Sequence, residues 1–239
     1  MKLIIKIGTA AIFDSKKKKL KGKILKHLAR DVSNLMKEQN EIIIVTSGAV
    51  GYGRKVIEGN GEIGLKQAQA SIGQIKLMEK YSSVFSRHNL HIAQFLLNSK
   101  DLHEKNRIEN LKETYKNLKG KAIPIVNEND VTSIEELKVG DNDTLASKLL
   151  INMDFDILII LTEIGALRKD NIPLTKSNFF HVEDYDKMNL PSVGFGGLKS
   201  KLDCAKILVS HKKRCIIAKA GDSIIDILSG KTIATEFID

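Results

Sequence analysis

Short runs of β-branched residues alternate along this chain with longer stretches in which apolar side chains recur every three or four positions. Lys2–Gly8 (KLIIKIG) is the first such run and ends in glycine. Lys21–Asn40 follows, with Ile24, Leu25, Leu28, Val32, Leu35 and Met36 on the spacing of one apolar helix face. Glu41–Thr46 (EIIIVT) is almost continuously apolar, as a parallel strand covered on both faces must be. Ser47-Gly48 punctuates it, and a helix is expected next. Leu65–Asn89 reads as one or two helices, His91–Leu97 as a strand, Asp101–Lys119 as a helix and Ala122–Val126 as a strand. Leu145–Asn152 reads as a helix, Asp156–Leu161 as a buried strand, Leu198–Ser210 as a helix and Cys215–Ala218 as a strand. Strand-then-helix order repeated in this way predicts an α/β fold, an αβα sandwich around a mostly parallel central sheet. No repeat or linker interrupts residues 1–239, so a single domain is expected. The long irregular stretches are 130–142 and 163–197, and such lengths tend to serve function.

In open parallel sheets, ligands sit beyond the carboxyl ends of the strands. Four such ends carry small, polar or charged residues: Lys6-Ile7-Gly8-Thr9, Thr46-Ser47-Gly48-Ala49, Asn127-Glu128-Asn129-Asp130 with the later Lys138–Asp143, and Thr162-Glu163. A glycine such as Gly48 at a helix start lets backbone N–H groups face an anion. Each piece also has a plain structural reading. Lys6 could snorkel from its strand, Asn127–Asp130 could be a polar turn, and Asp141-Asn142-Asp143 could simply cap a helix. Gly194–Lys201 could be a flexible loop, yet it opens a helix with a lysine in its first turn. Gly59–Gly64 matches G-x-G-x-x-G formally but does not join a strand to a helix, and no G-x-x-x-x-G-K-[ST] loop exists. His88 and His91 have no acidic or cysteine neighbours, and no metal site is expected.

Composition changes this picture little. The 38 basic and 29 acidic residues give a net charge of +9, and six lysines crowd a turn between Lys16 and Lys23. With 5% aromatic residues and no aromatic–basic strand, that turn reads as a solvated loop, and no nucleic-acid partner is expected. Cys204 and Cys215 have neither a disulfide-framework nor a metal spacing. No apolar run approaches the roughly 18–20 residues of a membrane span, so a cytoplasmic protein with no membrane partner is expected.

The blocks IIKIGTA, IVTSGAVGYG, PIVNENDV, LKVGDNDTLA and GFGGLKSKL, in this order, resemble the glutamate 5-kinase branch of the amino acid kinase family over almost the whole chain. The strand lysine–glycine and the second-strand glycine are shared across the wider family, whereas NEND and KVGDND are particular to the branch. The resemblance implies transfer of the γ-phosphoryl group of ATP, with Mg²⁺, to the side-chain carboxylate of L-glutamate, the first step of proline synthesis. Glutamate would bind in the N-terminal part and ATP in the C-terminal part. Lys6 and Lys201 match the two lysines that flank the transferred group, and Asp143 is expected to orient a lysine or the substrate. Ser47, Asp130 and Asn142 match the glutamate-binding positions. Gly8, Thr162, Glu163, Gly196 and Gly197, with the two lysines, match the nucleotide-binding ones. The chain departs from the pattern at Thr162-Glu163, where Thr-Asp is usual, and at Phe195–Leu198, where Thr-Gly-Gly-Met is usual. No room for a C-terminal PUA domain is expected, while homo-oligomers and feedback by L-proline are. Acetylglutamate kinase or UMP kinase would be the nearest alternative. A regulatory amino-acid-binding domain would keep Ser47, Asp130 and Asn142 but need neither lysine.

Overall fold

A computed structural model describes residues 1–17, 19–98, 100–133, 142–169, 172–175 and 197–237. Strand β1 (Lys2–Ile7) runs into the short α1 (Thr9–Ile12), a hairpin of β2 (Phe13–Asp14) and β3 (Lys19–Leu20), and α2 (Gly22–Lys37). There follow β4 (Glu41–Val45), α3 (Ala49–Gly53), α4 (Ile63–Phe85), β5 (His91–Leu97), α5 (Lys105–Leu118) and β6 (Ala122–Glu128). The C-terminal half holds α6 (Asn142–Asn152), β7 (Ile157–Thr162), the small hairpin β8 (Arg168–Lys169) and β9 (Ile172–Pro173), and α7 (Gly197–Ser210). It closes with β10 (Arg214–Lys219), α8 (Ile224–Leu228) and β11 (Thr235–Phe237).

The central sheet has seven strands in the order β11-β10-β7-β1-β4-β6-β5, parallel except for the antiparallel pair β10–β11. Alternation along each strand divides the core in two. Leu3, Ile5 and Ile7 of β1 and Ile42 and Ile44 of β4 pack under α2, α4 and α8. Ile4 of β1 and Ile43 and Val45 of β4 pack under α5, α6 and α7. The expected αβα sandwich is the observed one. Register brings the site to one rim: Lys6 is level with Val45 and Ile160, and Val45 is level with Val126. The residues just beyond, Thr46, Asn127 and Leu161, therefore share one end of the sheet.

Boundaries differ from the sequence reading in instructive places. Asn127 and Glu128, expected just beyond a strand ending at Val126, are the last two positions of β6, and both are buried. Leu65–Asn89 is one long helix from Ile63 with a short 3-10 turn at its end. The lysine-rich turn is a hairpin, closed by the Lys17 N–H donating to Asp14 Oδ1 at 3.0 Å. The edge strand β11 carries only three residues, too few to leave a periodic signal. Residues 134–141 and most of 163–197, including Asp141, Phe195 and Gly196, lie outside the described residues. Cys204 and Cys215 are both free and buried. Among the described residues no helix is long and apolar enough to cross a membrane.

Helix α3 follows Gly48, whose φ of 109° excludes ordinary side chains, and then lies directly on α4. A Cβ on Gly73 would overlap the Ala49 carbonyl oxygen, and one on Gly53 would overlap that of Gln69. Backbone cannot retreat as a flexible side chain can. Gly73→Ala should therefore cost about 3 kcal/mol, the upper end for overpacking, lowering the melting temperature by roughly 6–12 °C for a chain of this size. A thermal melt within about 2 °C of the parent would show that α3 and α4 separate freely.

Candidate active site

Lys6 lies near the end of β1, and strand alternation decides where it points. Ile5 and Ile7 face α2 and α4, so Lys6 faces the layer of α6 and α7. There its Nζ lies 2.6 Å from Oδ1 of Asp143, in the first turn of α6. Lys201, in the first turns of α7, donates to the other oxygen, Oδ2, at 2.8 Å and to the Gly197 carbonyl at 2.7 Å. Ser200 Oγ also donates to Oδ2, at 3.1 Å. The Lys6, Asp143 and Lys201 side chains are only 7%, 2% and 16% exposed. Burial pushes the Asp143 pKa up, but the two ammonium groups and their hydrogen bonds outweigh it and hold the carboxyl below its ordinary value. Asp143 thus stays ionised and holds both lysines at one point. A Cβ on Gly8 would lie 3.7 Å from Lys6 Nζ, so the glycine leaves backbone open beside that ammonium.

A second cluster begins one residue earlier on α6. Asn142 Nδ2 shares its two hydrogens among the Thr46 carbonyl at 2.7 Å, Ser47 Oγ at 2.8 Å and Asn127 Oδ1 at 3.1 Å. Asn127 Nδ2 donates in turn to Gln74 Oε1 on α4, at 2.9 Å. Tyr81, one heptad along the same face of α4, donates its hydroxyl to Thr46 Oγ1 at 2.8 Å. Asp130 stands just past β6, half-buried and with no ion pair or hydrogen bond among the described residues, and desolvation raises its pKa to about 6. An ionised carboxylate left without a partner suits a cationic group.

On the other side of β1, the Gly8 N–H donates to the Leu161 carbonyl at 3.3 Å, which sets the start of α1 against the end of β7. The Thr162 hydroxyl closes the turn that follows, accepting from Gly165 N–H at 2.8 Å. Glu163 pairs with Lys21 at 2.7 Å, and Lys21 also donates to the Ala10 carbonyl at 2.7 Å. One of the six lysines read as solvated thus ties the hairpin to the first and last strands of this rim.

The structure brings Lys6, Lys201 and Asp143 together, with Ser47 and Asn142 adjoining them and Gly8 and Gly197 beside the two lysines. Gly196 lies outside the described residues. Sequence reading assigned no role to Gln74, Ser200 or Tyr81. Asn127 stood among the strand-end residues with a polar turn as its plain alternative, and its place is the end of β6. Gln74 had a visible signal, a polar residue on the helix face of Ala70, Leu77 and Tyr81, where burial makes an amide costly unless it is bonded. Among the described residues no group of three or more His, Cys, Asp or Glu side chains could hold a metal ion.

Comparison with known proteins places the chain in a family and a fold. The profile of the amino acid kinase family matches residues 1–219. The chain belongs to that family. It is 35% identical over 229 residues to a glutamate 5-kinase of Dictyoglomus thermophilum, covering 92% of this chain and 62% of that one. A glutamate 5-kinase of Pelagibacter ubique is 38% identical over 229 residues, covering 90% and 62%. That of Caldanaerobacter subterraneus is 34% identical over 253 residues, covering 100% and 68%. The chain thus spans about 62% of the length of the first two relatives. The fold also matches the UMP kinase of Ureaplasma parvum, with a TM-score of 0.67 at 12% identity and 100% coverage of both chains. Giardia carbamate kinase gives a TM-score of 0.67 at 15% identity, covering 100% of this chain and 98% of that one.

Asp130 supplies a test that needs no ligand. Its pKa is raised from 3.8 to about 6, so the folded protein holds the proton more tightly than the unfolded chain does. Ionising it therefore opposes folding; the cost is absent below about pH 4 and complete above about pH 6. Asp130→Asn should raise the melting temperature by a few degrees at pH 8 and leave it unchanged at pH 4. Equal shifts at both pH values would mean that charge is not the cause.

Proposed function

We propose that this chain transfers the γ-phosphoryl group of ATP to the γ-carboxylate of L-glutamate, giving γ-glutamyl phosphate and ADP for the first step of proline synthesis. The observation that carries the reading is the Asp143 carboxylate holding Lys6 and Lys201 while the adjacent Asn142 joins Ser47 and Asn127. One helix start thus links a cationic centre to a neutral polar pocket. The similarity to glutamate 5-kinases supports the choice of glutamate.

A carboxylate is already an anionic nucleophile at neutral pH, so the reaction needs no catalytic base. Its obstacle is repulsion between the attacking carboxylate and the triphosphate. Lys6 and Lys201 oppose that repulsion: the carboxylate oxygen bonds to the γ-phosphorus, the bond to the bridging oxygen breaks, and the charge passes to ADP. Gly8 and Gly197 leave backbone close to the phosphates. Asp130 receives the substrate ammonium, and Ser47 and Asn142 hold its polar groups. Thr162 and Glu163 sit toward the nucleotide, Glu163 acting through Lys21. Mg²⁺ held on the ATP phosphates would supply further charge neutralisation, while Asp143 is engaged by the two lysines. The proposal extends to feedback inhibition by L-proline, to a homo-oligomer and to a cytoplasmic enzyme, all carried by the family resemblance.

With ATP, Mg²⁺, L-glutamate and hydroxylamine, the protein should form γ-glutamyl hydroxamate above a blank without glutamate. ADP release should be fastest with glutamate in a panel that includes N-acetylglutamate and UMP. Asp130→Asn should raise the KM for glutamate about ten- to a hundred-fold, the worth of a charged hydrogen bond, while leaving the KM for ATP nearly unchanged. A blank-level hydroxamate yield, or faster ADP release with another acceptor, would reject glutamate as the substrate.

A further inference from the structure

Among the described residues, the amide cluster around Asn142 contains two buried atoms that have no hydrogen-bond partner. Its polarity is fixed by one backbone group: the Thr46 carbonyl only accepts, so Asn142 must turn Nδ2 toward it. Asn142 Nδ2 also faces Asn127, which must therefore answer with Oδ1. That leaves Asn127 Nδ2 to donate to Gln74, which must answer with Oε1. Reversing any amide would set two NH₂ groups or two carbonyls against each other. The order of hydrogens along the row is thus determined from its backbone end.

Two atoms are left over by necessity. One is an acceptor, Asn142 Oδ1; the other is a donor, Gln74 Nε2. Gln74 is only 8% exposed, so water does not readily satisfy its amide. A buried donor without a partner is unfavourable, and the fold keeps this one although Met or Leu would fill the same helix position. An acceptor and a donor set along one amide row complement a group bearing both a cation and an anion. The ammonium and α-carboxylate of an amino acid are such a pair, joined through a single carbon. The γ-carboxylate belongs at the other end of the site, between Lys6 and Lys201, because Asn142 lies next to Asp143 in the chain while Gln74 is reached only through Asn127.

We infer that Gln74 is a further substrate-binding residue, its Nε2 donating to the α-carboxylate of the amino-acid acceptor while Asn142 Oδ1 accepts from the ammonium. This deepens the reading of the same site as a glutamate pocket and rests on it. The selectivity that follows is for acceptors carrying a free α-carboxylate. A residue that merely braced Asn127 would have a different signature, since only its acceptor oxygen would matter.

Gln74→Glu keeps an acceptor for Asn127 and replaces the donor with an anion; Gln74→Met removes both at similar length. Dissociation constants for L-glutamate and for 4-aminobutanoate, which lacks the α-carboxylate, are measured by calorimetry on the whole chain, with a melt confirming that each variant is folded. Gln74→Met should weaken glutamate about ten-fold and Gln74→Glu on the order of a hundred-fold. Neither should weaken 4-aminobutanoate more than about two-fold. Wild-type glutamate affinity in Gln74→Glu, or equal losses for the two ligands in either folded variant, would overturn the assignment. If only one variant folds, its ratio of the two affinities decides alone. Glutamate binding by the wild type without hydroxamate formation would reject the proposed reaction and leave this test standing, whereas no glutamate binding by the wild type would overturn both.

Discussion

The buried carboxylate of Asp143, shared by Lys6 and Lys201, is the interaction on which the rest of the site depends. Among the described residues, two ammonium groups share this one carboxylate in a nearly dry position. Buried ion pairs of this kind add little to stability, because desolvation consumes most of the attraction. Under the proposed reaction their use would be preorganisation: a transferred phosphoryl group would meet cations already in place and largely desolvated. The same burial that makes the arrangement costly makes it effective.

Each element of the sandwich serves that point in a definable way. Strand alternation turns Lys6 toward α6 and α7 and keeps its neighbours Ile5 and Ile7 in the opposite core. Parallel register lines up the ends of β1, β4 and β6, so that Thr46 and Asn127 stand beside the start of α6. Helix α4 supports the rim from behind: Gly73 admits the backbone of α3, Gln74 meets Asn127, and Tyr81 meets Thr46. On the far side, Lys21 joins Ala10 to Glu163 and fixes the hairpin against β7. The cluster at this rim is therefore a product of long-range packing, with its parts drawn from both halves of the chain.

Much of this was legible in the sequence. Apolar runs and helix spacing predicted the strand–helix order, and the rule for strand ends selected Lys6, Ser47 and Thr162 before any contact was known. Lys201 and Asp143 needed the family resemblance, because their meeting depends on how α6 and α7 pack. Asn127 stood at a selected strand end but with no role of its own, because four polar residues after an apolar run can equally be a turn; its place in β6 depends on pairing along β5 as far as Glu128. Gln74 was missed because a polar residue on a buried helix face signals that it needs a partner but does not name it; only the fold brings Asn127 to it. The lysine-rich turn misled for a similar reason, since only the fold brings Glu163 to Lys21.

The most direct test is a double-mutant cycle on kcat with Lys6→Met and Lys201→Met, read at saturating glutamate and ATP. If both lysines act on one phosphoryl group through the shared Asp143, each single variant should lose on the order of 10²–10³ in kcat. The double variant should then lose far less than the product of the two, as groups working as a unit do. Folded variants whose losses multiply, or either single variant keeping more than about a tenth of the parent rate, would contradict a single centre held by Asp143.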